Sequence, residues 1–248
     1  MRIHLHTRIH NEEKILPYFI RHYKQFVDKM FFHDAYSTDK SEEIIRSTPG
    51  CYFIPVVNKF GGVPGSFGNI IEQNILYSKN KLWREFSSKE NCDWVIACDT
   101  DEFLYCKNIV QVLEDLLKQG YQTVTTQGYQ MISESFPTTA GQIYDEIKFG
   151  SPCSNYSKKI IFTPDTQMEY GNGSHFCTYP RSTKVATNPI FKLLHYSRVL
   201  MQPRVKLTGE TGDVREAVLN LQYHWDFGWD NKVDALNDEK SYNIYLKK

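Results

Sequence analysis

Three carboxylates stand within four residues at Asp99-Thr100-Asp101-Glu102. They follow directly on Trp94-Val95-Ile96-Ala97-Cys98, a continuous apolar run of the kind that forms a strand buried on both faces. Carboxylates this close repel one another unless a cation joins them. Hard divalent ions such as Mg²⁺ or Mn²⁺ take oxygen ligands and often bridge to a substrate's phosphates. The carboxyl end of a parallel strand is also where open α/β sheets bind ligands. A turn or helix cap rich in Asp and Glu is the plainer alternative.

Two further segments carry polar groups at strand ends. Asp34-Ala35-Tyr36-Ser37-Thr38-Asp39 could hold a nucleotide, with Asp34 accepting a hydrogen bond from a base N–H. Arg8-Ile9-His10-Asn11-Glu12-Glu13 stands in the same position after an earlier strand. Both also read as ordinary helix starts, since Ser, Thr, Asp and Asn cap helices.

The elements that must position these groups alternate. Residues 2–9, 30–33, 51–57 and 94–98 read as strands, as do 121–126, 158–163 and 190–196. Ile15, Leu16, Phe19, Ile20, Tyr23 and Phe26 recur at helical spacing, and Pro17 suits the first turn of that helix. A second helix runs through Ile44 and Ile45. Glycines 61, 62, 65 and 68 mark a loop before a helix over 69–85. A helix over 108–118 stops at Gly120. Gly171-Asn172-Gly173-Ser174-His175 is a loop, and the end from about Asp230 reads as a polar helix. This alternation predicts an α/β fold: a mostly parallel sheet with helices on both faces and an elaborated C-terminal half.

Composition narrows the function. The 248 residues fit one domain, and 41% hydrophobic with 23% charged residues is a globular balance. Lys plus Arg equals Asp plus Glu at 29 each, without the basic excess of a nucleic-acid or membrane-surface binder. No run of 18 apolar residues predicts a transmembrane segment. The chain's start has no apolar signal-peptide core, and its six cysteines include no C-x-x-C pair, so we expect reduced thiols and a cytoplasmic location.

Several of these residues together resemble the GT-A glycosyltransferases of the family 2-like group, in a subgroup with a D-x-D-E-F signature. They are Arg8, Asn11-Glu12, Leu16-Pro17 and His22, then Asp34 with Ser37 and Asp39, then Asp93-Trp94 with Asp99-x-Asp101-Glu102-Phe103-Leu104. Lys159 with Pro164, His175, and His195-Tyr196 with Lys206 resemble its later pattern, so the likeness covers about residues 2 to 206. His195-Tyr196-Ser197-Arg198-Val199 departs from the usual H-Y-x-x-R-S wording.

The resemblance implies one GT-A domain over 1–248. Its nucleotide-binding half would cover about 1–106 and its acceptor side about 107–248. It implies a nucleotide-diphosphate sugar donor, UDP-sugar foremost, a glycan or lipid-linked acceptor, and Mn²⁺ or Mg²⁺. Carried over, Asp99 and Asp101 flank the metal, and His195 supplies a third ligand, with His175 the alternative. Arg8, Asn11, Glu12, Asp34, Asp99, Lys159, His175 and Lys206 bind the nucleotide sugar. Lys159, Lys206 or Arg198 could share the charge of the leaving diphosphate. A carboxylate base would deprotonate the acceptor hydroxyl, whose attack inverts the anomeric centre. Glu134 and Glu102 are the candidates, with Asp145, Asp165 and Glu169 further downstream. A core histidine is the plain alternative for His195. His224-Trp225-Asp226-Phe227-Gly228-Trp229 could stack on an acceptor sugar or simply anchor the tail. A nucleotidyl- or phosphotransferase with the same acidic site, or a non-catalytic sugar- or nucleotide-binding relative, stands as the rival.

Overall fold

The computed structural model describes residues 1–56, 73, 76–88, 90–133, 135–171, 174–197 and 232–238. Four strands form the parallel centre: β1 (Ile3–Ile9), β2 (Lys29–Asp34), β3 (Cys51–Pro55) and β4 (Trp94–Ala97), in the order β3-β2-β1-β4. Helix α1 (Leu16–Tyr23) links β1 to β2, and α2 (Ser41–Arg46) links β2 to β3. Pro17 lies in the first turn of α1, and the Glu12 carbonyl accepts the N–H groups of Ile15 and Leu16 as the helix begins. The expected helix over 69–85 is described at its end, as a π-helical turn Ser78–Leu82 continuing into α3 (Trp83–Phe86).

The two faces of β4 bury different residues because side chains alternate along a strand. Trp94, Ile96 and Cys98 enter the main core with Phe19 and Tyr23 of α1. Val95 and Ala97 enter a second core with Trp83 of α3, Phe162, Met168 and Tyr170. Helices therefore cover both faces, as the alternating pattern predicts.

The second half extends the sheet from β4. The remaining strands are β5 (Glu102–Tyr105), β6 (Thr123–Met131), β7 (Phe149–Pro152), β8 (Ile161–Phe162), β11 (Val185–His195) and β12 (Val233–Asp234). β8 lies antiparallel between β4 and β6, and β6 continues to β7 and β12. β11 runs parallel to β6 and antiparallel to β5. A separate hairpin pairs β9 (Glu169–Tyr170) with β10 (Cys177–Thr178). Helix α4 (Ile109–Lys118) ends before Gly120, whose φ of +75° is the left-handed conformation that glycine adopts freely. A short helix α5 is Ile143–Glu146.

Several expectations are corrected here. The expected strand over 121–126 continues to Met131. Regular pairing in the 158–163 segment is confined to Ile161–Phe162. Val233–Asp234 is strand where a polar helix was expected. The glycine loop at 61–68, the 198–206 segment with Arg198 and Lys206, Glu134, and the 224–229 aromatics lie outside the described residues. Among the described residues, no helix is long and apolar enough to cross a membrane.

Candidate active site

β4 delivers Asp99 and Asp101 to the carboxyl edge of the parallel strands, and β5 begins at once with Glu102. The connecting turn closes on itself. The Asp99 N–H donates to Glu102 Oε2 (3.1 Å), and the Glu102 N–H donates to the Asp99 carbonyl (3.1 Å). The Asp101 carbonyl accepts the Tyr196 N–H at 2.8 Å, which ties the turn to the end of β11. Strand register does the rest: His195 lies opposite Glu102 of β5 on one side and Gln130 of β6 on the other.

Glu102 is fully buried, with Lys158 Nζ at 2.5 Å from Oε1. Lys158 is fixed by its backbone, since its carbonyl accepts both the N–H and the hydroxyl of Thr126. Burial would lower the Lys158 ammonium, but Glu102, with Asp99 and Asp101 near it, raises it well above the ordinary lysine value. Glu102 is thereby a buried clamp. Both its oxygens are engaged, Oε1 by Lys158 and Oε2 by the Asp99 N–H.

Asp99 is held from the other side. Lys79, in the π-helical turn, places Nζ 2.9 Å from Asp99 Oδ1 and Oδ2. Asn80 orients that turn by pairing with both backbone groups of Tyr170, at 3.0 and 2.8 Å. Burial would push the Asp99 carboxyl up, but the Lys79 ammonium, with Lys158 behind it, holds it well below the usual carboxylate range. Asp101 moves the other way. Burial raises it, His195 opposes the rise, and the charges of Asp99 and Glu102 add to it.

His195 Nε2 stands 3.5 Å from Asp101 Oδ2. Its tautomer follows from the partners of Gln130. The Gln130 Nε2 lies 3.0 Å from the His195 carbonyl, which only accepts, so this end of the amide is the donor. The Gln130 Oε1, 3.0 Å from His195 Nδ1, must then accept an Nδ1–H. A neutral ring consequently turns its Nε2 lone pair toward a carboxylate. Two electron-rich groups face each other stably only with a proton or a cation between them. Tyr156 fixes the ring plane, stacking on His195 at 3.9 Å between centroids and 27° between planes.

These atoms fit a hard divalent ion in part. Two cis ligands about 2.1 Å from an octahedral ion lie about 3.0 Å apart, near the Asp101–His195 separation. Carboxylate with imidazole suits Mn²⁺. Asp99, expected as a ligand, is turned to Lys79. Among the described residues no three His, Cys, Asp or Glu side chains are gathered as an ion-binding group.

The remaining candidates distribute unevenly. Asn11, Glu12 and Asp34 stand together at the ends of β1 and β2. Asn11, at φ +57°, donates its N–H to Ser37 Oγ and accepts the Thr38 N–H on Oδ1. The Asp34 carboxylate accepts the Ser37 N–H, and the Glu12 N–H donates to Ser41 Oγ. These bonds lace the two loops together. Arg8 lies in β1 opposite His33. Lys159 lies outside the carboxylate cluster, its ammonium over the Tyr179 ring at 5.6 Å. His175 is exposed, donates from Nδ1 to the Asn155 carbonyl (2.9 Å), and lies 5.9 Å from the Tyr156 ring. Lys79, Lys158, Gln130 and Tyr156 are the site groups that sequence reasoning missed.

No family model matches this sequence, and no curated protein matches it. Its fold is similar to that of solved glycosyltransferase structures. S. aureus TarS 1–349 aligns over 92% of this chain and 72% of its own, at 10% identity and a TM-score of 0.44. The glucosyl-3-phosphoglycerate synthase of Mycobacterium tuberculosis, crystallised with Mn²⁺, UDP and phosphoglyceric acid, aligns over 51% of this chain and 43% of its own. That match has 21% identity and a TM-score of 0.33. The mannosyltransferase Ktr4p of S. cerevisiae covers 51% of this chain and 39% of its own, at 13% identity and a TM-score of 0.37.

Proposed function

We propose that this chain is a divalent-metal-dependent GT-A glycosyltransferase that moves a sugar, with inversion, from a nucleotide-diphosphate sugar to a glycan or lipid-linked acceptor. UDP-sugar is the foremost donor. The observation that carries this reading is His195 Nε2 standing 3.5 Å from Asp101 Oδ2. It stands at the sheet edge where open α/β folds bind nucleotides.

Asp101 and His195, with Asp99, are the residues that would hold Mn²⁺. When bound, that ion supplies Lewis-acid stabilisation of the departing diphosphate. The chain's own residues do the rest. Gln130 keeps His195 in the tautomer whose Nε2 accepts. Lys158 and Lys79 place positive charge beside the leaving group, in a setting drier than water where such charge acts strongly. Asn11, Glu12 and Asp34 line the base and ribose side. Asp145 is engaged in the capping box of α5, Asp165 with Thr163, and Glu169 with Lys81 and Arg84. We therefore assign the acceptor's base to Glu134, three residues beyond the end of β6 in the sequence.

Product analysis tests this function. Purified protein with Mn²⁺ and a panel of uridine-, guanosine- and thymidine-diphosphate sugars should release a nucleoside diphosphate, and EDTA should stop it. Release of a sugar 1-phosphate, with the nucleoside monophosphate transferred, would show a nucleotidyltransferase instead. Donor binding without turnover would show a non-catalytic sugar- or nucleotide-binding relative.

A further inference from the structure

We propose that Lys79 is a built-in cation that occupies Asp99 while the metal is absent, and that metal binding displaces its ammonium from at least one Asp99 oxygen. The proposal rests on the metal-dependent reading above and deepens it.

Two of the three expected ligands stand ready. Asp101 and His195 face each other at 3.5 Å, close to the spacing of neighbouring ligands on one ion. The third, Asp99, is the one whose two oxygens both lie 2.9 Å from Lys79 Nζ. The Asp99 side chain is 41% exposed while that of Lys79 is 6% exposed, so the carboxylate is open to an arriving ion. Lysine suits a displaceable role. Its ammonium is a compact point charge on a flexible four-carbon stem, whereas arginine would grip both oxygens in a planar fork. The stem springs from a π-helical turn, a rare local geometry found frequently at functional sites. Once displaced, the ammonium remains beside the ion and can meet a phosphate oxygen of the donor. The device neutralises one carboxylate of the crowded cluster before the metal arrives.

The test is a Mn²⁺ titration of the donor-free protein, following free Mn²⁺ by electron paramagnetic resonance, with a thermal melt on each variant. Lys79→Met removes the competitor and should tighten Mn²⁺ binding at least about tenfold, the equivalent of about 1.4 kcal/mol. Lys79→Arg replaces it with a stronger one and should weaken binding. A folded Lys79→Met with unchanged or weaker Mn²⁺ affinity overturns the proposal. Should Lys79→Met not fold, an unchanged affinity in Lys79→Arg overturns it equally. Asp101→Asn separates the two layers. If it loses Mn²⁺ binding while the Lys79 variants match the wild type, only the displacement fails. If it binds Mn²⁺ as the wild type does, the ion is elsewhere and both readings fall.

Discussion

His195 turns Nε2 toward Asp101 Oδ2 at 3.5 Å while Gln130 Oε1 holds its other ring nitrogen at 3.0 Å. Lys158 neutralises Glu102 beneath this pair and Lys79 neutralises Asp99 beside it. Among the described members of the cluster, Asp101 is the carboxylate left for His195 and an incoming cation. Its replacement should therefore affect function and stability in opposite ways. Asp101→Asn should abolish sugar transfer while the melting temperature holds or rises, because a raised, crowded carboxyl is being removed. Metal-dependent turnover near wild type in that variant would refute the role.

The Glu102–Lys158 pair makes the contrasting prediction. Both side chains are buried. Removing one partner leaves an unpaired buried charge, which costs about 3–5 kcal/mol. Lys158→Met should lose that much stability by urea denaturation, and adding Glu102→Gln should restore a large part of it. If Lys158→Met unfolds at the wild-type urea concentration, the pair is not the clamp described here.

Gly128 should tolerate no side chain. A Cβ there would stand 2.2 Å from the Tyr156 carbonyl carbon and 2.6 Å from the Ser157 nitrogen. Those are backbone atoms and cannot swing away. Gly128→Ala should displace Tyr156 from the face of His195 and weaken Mn²⁺ binding as well as stability. A variant with both unchanged would show that the stacking does not position the histidine.

Acid should destabilise the protein over a definite window. Burial lowers His22 and His33 to about 4. His6 is held well below its ordinary value by burial and by His33, and His4 is lowered by burial against the pull of Glu90. His4 and His6 share the Ser87 hydroxyl, and His6 continues the chain to His33 at 3.0 Å. Unfolded imidazoles take up protons below about 6.5 and the buried ones do not. Stability is therefore complete above about pH 6.5 and falls as pH drops toward 4. At pH 5, His22 and His33 should each cost about 2 kcal/mol. Urea unfolding at pH 7.5 and pH 5.0 checks this, and equal stability at the two would contradict it.

What the sequence revealed of this site follows local pattern. The apolar run 94–98 and the acids after it are contiguous, so both the strand and its charged end were legible. The parallel centre was legible for the same reason. Lys79 stands twenty residues before Asp99 in a segment that reads only as an amphipathic helix, and nothing local aims it at a carboxylate. Lys158 and Lys159 are adjacent and polar, and which of them enters the cluster depends on backbone pairing with Thr126. Gln130 and Gly128 were hidden because the strand reads as ending at residue 126. The glycine is there because Tyr156 approaches the backbone too closely for a Cβ. β5 was masked by its own first residue, since a glutamate at a fully buried position is legible only once its lysine is known.

The most direct measurement is a crystal structure of the protein with Mn²⁺ and UDP, with the ion located by its anomalous scattering. The account predicts one ion about 2.1 Å from both Asp101 and His195 Nε2. It also predicts the uridine near Asn11 and Asp34. An ion bound away from Asp101 and His195, or UDP bound with the Asp101–His195 gap closed by a hydrogen bond and no ion, would contradict it.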